Sequence, residues 1–220
     1  MDNQNPSSQL ILNKLDTSTA IISKRYKNFE KGESSFSYAE TDQYFYFILD
    51  GKIKVSQINP ETGKEQILYL LSTGDMFDVV KLLDEGSNDH IYEVLEACRV
   101  LEVPIKEVKQ MMHQDASFQE FFFPYVAKQL RSMEDLAVDL SLFDVYQRTI
   151  RLFSRFVDRS SYDGKLRLIN NLSHEELASM VGSVRKVVNR TLQRLKKEGI
   201  IELSRKHIQI KSIQRLLDKL

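Results

Sequence analysis

Between residues 21 and 104 apolar positions fall in short runs, punctuated by turn signals roughly every ten residues. Residues 44–49 (Tyr-Phe-Tyr-Phe-Ile-Leu) form an unbroken aromatic and aliphatic run closed by the turn dipeptide Asp50-Gly51. Residues 52–58 then alternate polar and apolar, as a half-buried strand does. Asn59-Pro60-Glu61-Thr62-Gly63 is a second turn, 65–71 a further strand, Ser72-Thr73-Gly74-Asp75 a third turn and 99–103 a last short strand. The pattern predicts an antiparallel sandwich or roll.

Past Pro104 the period lengthens to that of a helix. Residues 105–113 predict a short amphipathic helix. Residues 116–143 contain no glycine and place Phe122, Val126, Leu130, Met133, Ala137 and Leu140 at alternating steps of four and three. That spacing is close to a coiled-coil seam and predicts a homodimer contact, with packing inside the chain as the alternative. Pro124 either begins the regular part of this helix or kinks it. Residues 144–157 predict another amphipathic helix; 160–171 read as loop, with 166–169 as a short strand candidate.

Residues 172–190 carry the densest pattern: helix, tight turn, helix. Ser173 followed by Glu176 is a capping box, which satisfies amide groups at a helix start. Leu177 and Val181 face inward, Ala178 is small where a second helix crosses, and Gly182 supplies the turn. Val188, Leu192 and Leu195 form the inner stripe of the second helix, and Gly199 ends it. The opposite face opens with Arg185, Lys186, Asn189 and Arg190, long donors suited to a major groove. Residues 200–203, a basic turn at Ser204-Arg205-Lys206, and 207–210 predict a β-hairpin wing.

The net charge is zero, yet residues 145–220 hold 17 Lys+Arg against 7 Asp+Glu, leaving 14 against 24 in residues 1–144. A basic half meeting a polyanion, beside an acidic half with another task, fits this asymmetry. A single cysteine, Cys98, excludes a disulfide within the chain and a four-cysteine zinc or iron–sulfur site. No apolar run reaches membrane-spanning length and residues 1–10 lack a signal-peptide core, so a cytoplasmic protein is expected.

These motifs together resemble the Crp–Fnr superfamily of bacterial transcription regulators over nearly the whole chain. Gly51, Gly63 and Gly74-Asp75 match its cyclic-nucleotide-binding-type β-roll, Phe143-Asp144-Val145 its hinge, and Glu175, Leu177, Ala178, Val181 and Gly182 its helix-turn-helix. The resemblance implies an α+β fold: a β-roll sensor over 1–115, a dimerisation helix and hinge over 116–144, and a winged helix-turn-helix over 145–220. It implies a homodimer on an inverted-repeat promoter site, with RNA polymerase as a further partner. Arg185, Lys186 and Arg190 fall on the family's base-reading positions, and Ser173, His174 and Ser183 are placed for phosphate contacts; Asn189 and Lys206 complete the expected DNA-binding set. Lys186 stands where many relatives carry glutamate; a lysine cannot accept from cytosine, so a different sequence preference is expected.

The sensor half departs from the cyclic-AMP pattern. Asp78-Val79 replaces the Gly-Glu pair that holds ribose, and Asp89-His90 the Arg-Ser or Arg-Thr pair that holds phosphate; Met133 and Glu134 take the adenine-contacting positions. Without the guanidinium, and with an aspartate in its place, cyclic AMP is not the expected effector. No cofactor is expected. Haem ligation through His90 or His113 is the remaining cofactor chemistry, in a sensor with little DNA binding of its own, although both residues read more simply as ordinary surface histidines. Cys98 reads as core rather than as a redox sensor. The aromatic cluster at 118–125 reads as core before it reads as an effector pocket. No enzyme is expected: Ser173-His174-Glu175 has the letters of a triad, but helical neighbours point about 100° apart.

Overall fold

The computed structural model describes residues 23–33, 43–77, 79–84, 90–158, 164–204 and 207–220. Two compact units divide the chain, one made of residues 1–57 and 69–132, the other of 58–68 and 133–220.

The first unit is an antiparallel β-roll with helices. Strands β1 (Arg25–Phe29), β2 (Tyr44–Ile58), β3 (Glu65–Ser72), β4 (Met76–Phe77) and β5 (Ile91–Pro104) form one sheet in the order β1-β5-β2-β3, with β4 also paired to β2. Helix α1 (Val79–Asp84) follows β4; α2 (Ile105–Gln114) and α3 (Ala116–Leu142) follow β5. The unbroken apolar run in β2 has a simple cause: both faces of the strand are covered. Phe45 and Phe47 join Val108 and Met111 of α2 and Phe118, Phe122 and Tyr125 of α3. Tyr46 and Ile48 point the other way, into a cluster with Phe77, Tyr92, Val94, Cys98 and Val100. Tyr46 stacks on Phe77 with ring centroids 5.0 Å apart, and Phe77 meets Tyr92 at 5.3 Å, so aromatic rings fill this face.

Two strand expectations need correction. Asp50-Gly51 does not end a strand; β2 runs through it with register shifts against β5. Gly51 has φ 96°, and a Cβ there would lie 2.3 Å from the Ala97 carbonyl oxygen, so the backbone bulges where only glycine fits. The last strand begins at Ile91 rather than 99, because its acidic residues are cross-strand ion pairs. Lys52 meets Glu96 at 2.7 Å and Lys54 meets Glu93 at 2.5 Å, each pair opposite in register.

Helix α3 carries Pro124 in its interior and turns Phe122 and Val126 into the roll's own core. Those two residues are therefore not part of a free seam, contrary to what the spacing alone predicts. The apolar positions left exposed on α3 include Phe123, Ala127, Leu130, Ala137 and Val138, with Leu130 61% exposed. The Tyr125 hydroxyl donates to the Met76 carbonyl at 2.8 Å and accepts from the Met76 amide and from Gln129.

In the second unit, α4 (Val145–Phe156) starts on a capping box between Asp144 and Gln147. Helices α5 (His174–Met180) and α6 (Arg185–Lys197) precede the antiparallel pair β6 (Ile201–Ser204) and β7 (His207–Ile210), and α7 (Ile213–Leu217) closes the chain. Ile150, Phe153, Leu177, Val188, Leu192, Leu195, Ile208 and Leu216 are buried together with Ala178. The buried Asp139 carboxylate of α3 accepts from both Arg151 and Arg155 of α4, so this stretch of α3 is tied to the unit by charge. The strand candidate at 166–169 is not realised: Leu166 makes one isolated bridge to Val157, and Leu168 takes φ 58°, which ends any extended run. Among the described residues no helix is long and apolar enough to cross a membrane.

Candidate nucleic-acid interface

The α5–turn–α6 segment is built as its residues dictate. The Ser173 hydroxyl oxygen accepts from the Glu176 amide at 3.1 Å, and the Glu176 carboxylate accepts from the Ser173 amide at 2.6 Å. Such a cap is worth about 1 kcal/mol and leaves the Ser173 hydroxyl proton free to donate outward. Gly182 turns the chain at φ 65°, and the Ser183 amide closes the turn on the Ala178 carbonyl at 2.9 Å. The turn is tightly covered within the unit: a Cβ on Gly182 would sit 2.4 Å from Leu140 Cδ2 and 3.1 Å from Gln66 Oε1. Gln66 also donates to the Met180 carbonyl at 3.3 Å, one of the orphan acceptors at the end of α5. Leu140, counted as a seam position by spacing, thus packs on the turn.

Helix α6 divides into two faces. At about 100° per residue, Val188, Thr191, Leu192 and Leu195 span an arc of about 100°, and all four are buried. Arg185, Lys186, Asn189, Arg190, Gln193, Lys196 and Lys197 fall in an arc of about 140° on the opposite side. Of these only Asn189 is partly buried. The periodicity that marks the inner stripe also marks Gln193, Lys196 and Lys197, three further residues of this face beyond those the sequence motif singles out. Val184, at the N-cap of α6, is 57% exposed and makes no side-chain cap; an apolar group at that place suits a thymine methyl.

Charge pairing sorts the basic residues of this unit. Arg151 and Arg155 are spent on Asp139, Arg167 on Asp158, and Lys211 on Glu202. Glu198 collects Arg194 at 2.8 Å, Lys219 at 3.7 Å and the Tyr146 hydroxyl at 2.5 Å, while the Arg194 guanidinium lies 3.9 Å over the Tyr146 ring. The Tyr146 hydrogen bond holds the Glu198 carboxyl below its usual range, and burial, reinforced by that bond, pushes the Tyr146 phenol up to about 12. Among the described residues Arg185, Lys186, Arg190, Lys196 and Lys197 form no ion pair. Five uncompensated cations thus share one face of one helix, while Arg148, Arg215 and Lys64 of this unit also stand outside any ion pair among the described residues.

The structure brings together Ser173, His174, Ser183, Arg185, Lys186, Asn189 and Arg190 on α5, α6 and the turn between them. His174 and Asn189 are in direct contact, Nδ1 to Oδ1 at 2.5 Å. Lys206 lies outside the described residues, between β6 and β7, as do Asp78 and Asp89 in the roll. His90 stands edge-on to Tyr92, with ring centroids 6.2 Å apart, and His113 is exposed at the end of α2. Cys98 is core: burial pushes its thiol up to about 11, and its sulfur donates to the Glu96 carbonyl at 3.0 Å.

Two family models match the chain, the Crp-like helix-turn-helix domain over residues 147–219 and the cyclic nucleotide-binding domain over 26–115. The chain is 26% identical over 191 residues to the CRP-like cAMP-activated global transcriptional regulator of Mycobacterium tuberculosis, covering 86% of this chain and 85% of that one. It is 25% identical to the global nitrogen regulator of a Nostoc species, over 84% of each. Among solved structures, a mutant of CooA from Carboxydothermus hydrogenoformans superimposes with a TM-score of 0.80 at 20% identity, covering 99% of this chain and 96% of that one. The c-di-GMP-responsive regulator CLP of Xanthomonas campestris gives 0.71 at 17%, covering 86% and 94%. With a cyclic-nucleotide-type roll, a capped helix-turn-helix and relatives of this kind along its length, the chain belongs to the Crp–Fnr superfamily of DNA-binding transcription regulators.

Proposed function

We propose that the protein is a homodimeric regulator that reads an inverted-repeat promoter site through α6, with an effector other than cyclic AMP or with none. The observation that carries this reading is the concentration of five unpaired cations on the outer face of α6, while Arg151, Arg155, Arg167 and Arg194 are held in ion pairs within the unit. Residues 1–115 form the sensor, 116–144 the dimerisation helix and hinge, and 145–220 the DNA-binding domain. The exposed stripe of Phe123, Ala127, Leu130 and Ala137, with steps of four, three and seven, is the dimer contact. Arg185, Lys186 and Arg190 read bases; Ser173, Ser183 and Lys206 contact phosphate, with His174 and Asn189 at the same edge. RNA polymerase is the further partner at a promoter.

Two observations favour an effector other than cyclic AMP. The positions for ribose and phosphate contacts hold Asp78-Val79 and Asp89-His90, and one face of the sheet is filled by Tyr46, Phe77 and Tyr92. Relatives differ in the same respect: some are named for cyclic AMP, and one for c-di-GMP.

Arg185→Ala and Lys206→Ala test the assignment on a selected repeat and on a scrambled duplex. Losing Arg185 should cost about 1–3 kcal/mol per half-site on the repeat and little on the scrambled duplex. Losing Lys206 should weaken both and reduce the salt slope by about one. Equal losses on both duplexes for Arg185→Ala would make it a phosphate contact.

A further inference from the structure

We infer that His174 is a positioning residue that fixes the side chain of Asn189 and so sets which bases α6 accepts at one point of its site. The inference rests on the DNA-reading role of α6 and adds a rule for one residue on it. His174 is the first residue of α5, and Asn189 lies one turn after Arg185 on the edge of α6 nearest α5. Their side chains meet with Nδ1 of the ring 2.5 Å from Oδ1 of the amide. An amide oxygen cannot donate, so the shared hydrogen belongs to the imidazole Nδ1. Both side chains are half-buried, whereas Arg185, Lys186 and Arg190 around them are exposed, so the contact is sheltered from water on one side.

The consequence is chemical. An asparagine that pairs with adenine needs its oxygen for the N6 amino group and its nitrogen for N7. Here one of the oxygen's two lone pairs is engaged and the amide is held with its oxygen toward α5, so both Nδ2 hydrogens stay free and acceptance is limited to the one remaining lone pair. Held so, it favours guanine O6 or N7 or thymine O4 over adenine, whose two-bond pairing needs the amide free to present its oxygen to N6 and its nitrogen to N7 together. For His174, the Nδ1 hydrogen committed to Asn189 is not available to a phosphate. Positioning is thus a role for this residue in addition to the phosphate contact expected from the sequence.

The test is selection of bound duplexes from a randomised pool by the full chain and by its H174A, H174Q, N189A and H174A/N189A variants. The position read by Asn189 is the one at which N189A loses preference. At that position the wild type should select guanine or thymine, and H174A should shift preference toward adenine by roughly 5- to 150-fold, the range of one bidentate base contact. H174Q, whose amide can donate to the same oxygen, should restore the wild-type choice, and the double variant should show no preference. The Ser173–Glu176 cap does not use the His174 side chain, so α5 still starts in the same place in these variants. Adenine selected there by the wild type, or an unchanged profile in H174A with weaker binding overall, overturns the positioning role and leaves DNA reading by α6 intact. Failure of the wild type to select any sequence overturns both.

Discussion

Substituting alanine for Gly182 tests whether the helix-turn-helix is set by the covered turn. Two costs can be worked from the geometry. The residue holds φ 65°, where an L side chain costs about 1–2 kcal/mol. Its Cβ would lie 2.4 Å from Leu140 Cδ2 and 3.2 Å from Arg148 Nη1, and overpacking of this kind costs about 1–3 kcal/mol. The Leu140 side chain is 42% exposed and can swing away, which keeps the packing share near its lower bound. The expected loss is about 2–3 kcal/mol, a large part of the roughly 5–15 kcal/mol that holds a domain together. Urea titration of the full chain, followed by helical circular dichroism, measures it. A Leu140→Ala background separates the two costs, because it removes the clashing methyl and leaves the left-handed backbone at position 182 unchanged. There the glycine substitution should still cost about 1–2 kcal/mol, the difference being the coupling between the two sites. A loss under about 0.5 kcal/mol in the wild-type background, the range of an ordinary surface change, would refute the reasoning.

Replacing Leu130 and Ala137 with aspartate should convert a dimer to monomers, because the seam would then bury unpaired charge; light scattering reads the mass, and an unchanged dimer refutes the stripe. Burial, opposed by the Ser72 amide and by Lys128, holds the Asp75 carboxyl above its ordinary 3.8. The folded chain therefore takes up the proton more readily than the unfolded one, and this residue's unfavourable share is relieved as pH falls. The stability of Asp75→Asn minus that of wild type should be greatest at high pH, shrink as pH falls through the raised folded value, and level off below 3.8; a difference independent of pH counts against it. Cys98, with its thiol raised to about 11, should resist alkylation at neutral pH until the roll unfolds, and rapid native labelling would contradict its core position.

What was legible in the sequence is what period and local chemistry encode. The inner stripe of α6, the Ser173–Glu176 cap and the Gly182 turn are local, and each appears where the spacing puts it. Strand β5 was half hidden because Glu93 and Glu96 look like loop residues until Lys54 and Lys52 stand opposite them. Gly51 reads as a turn because a bulge and a hairpin demand the same backbone freedom, and only the partner strand distinguishes them. On α3 the spacing marks apolar positions without saying which face the roll takes; Phe122 and Val126 went inward and Leu130 stayed out. The His174–Asn189 contact joins residues fifteen apart on two helices, and no periodicity in either helix announces it.

The most direct test of sequence-specific recognition through α6 compares the full chain's affinity for three duplexes. One carries the selected inverted repeat with half-sites one helical turn apart, about 34 Å. The second has one half-site scrambled, and the third has half a turn of DNA inserted between the half-sites. A two-fold dimer reading bases should bind the first roughly 10³-fold or more tighter than non-specific DNA, and should lose most of that advantage on the other two. Equal affinity for all three duplexes, at a salt concentration where binding is measurable, would contradict it.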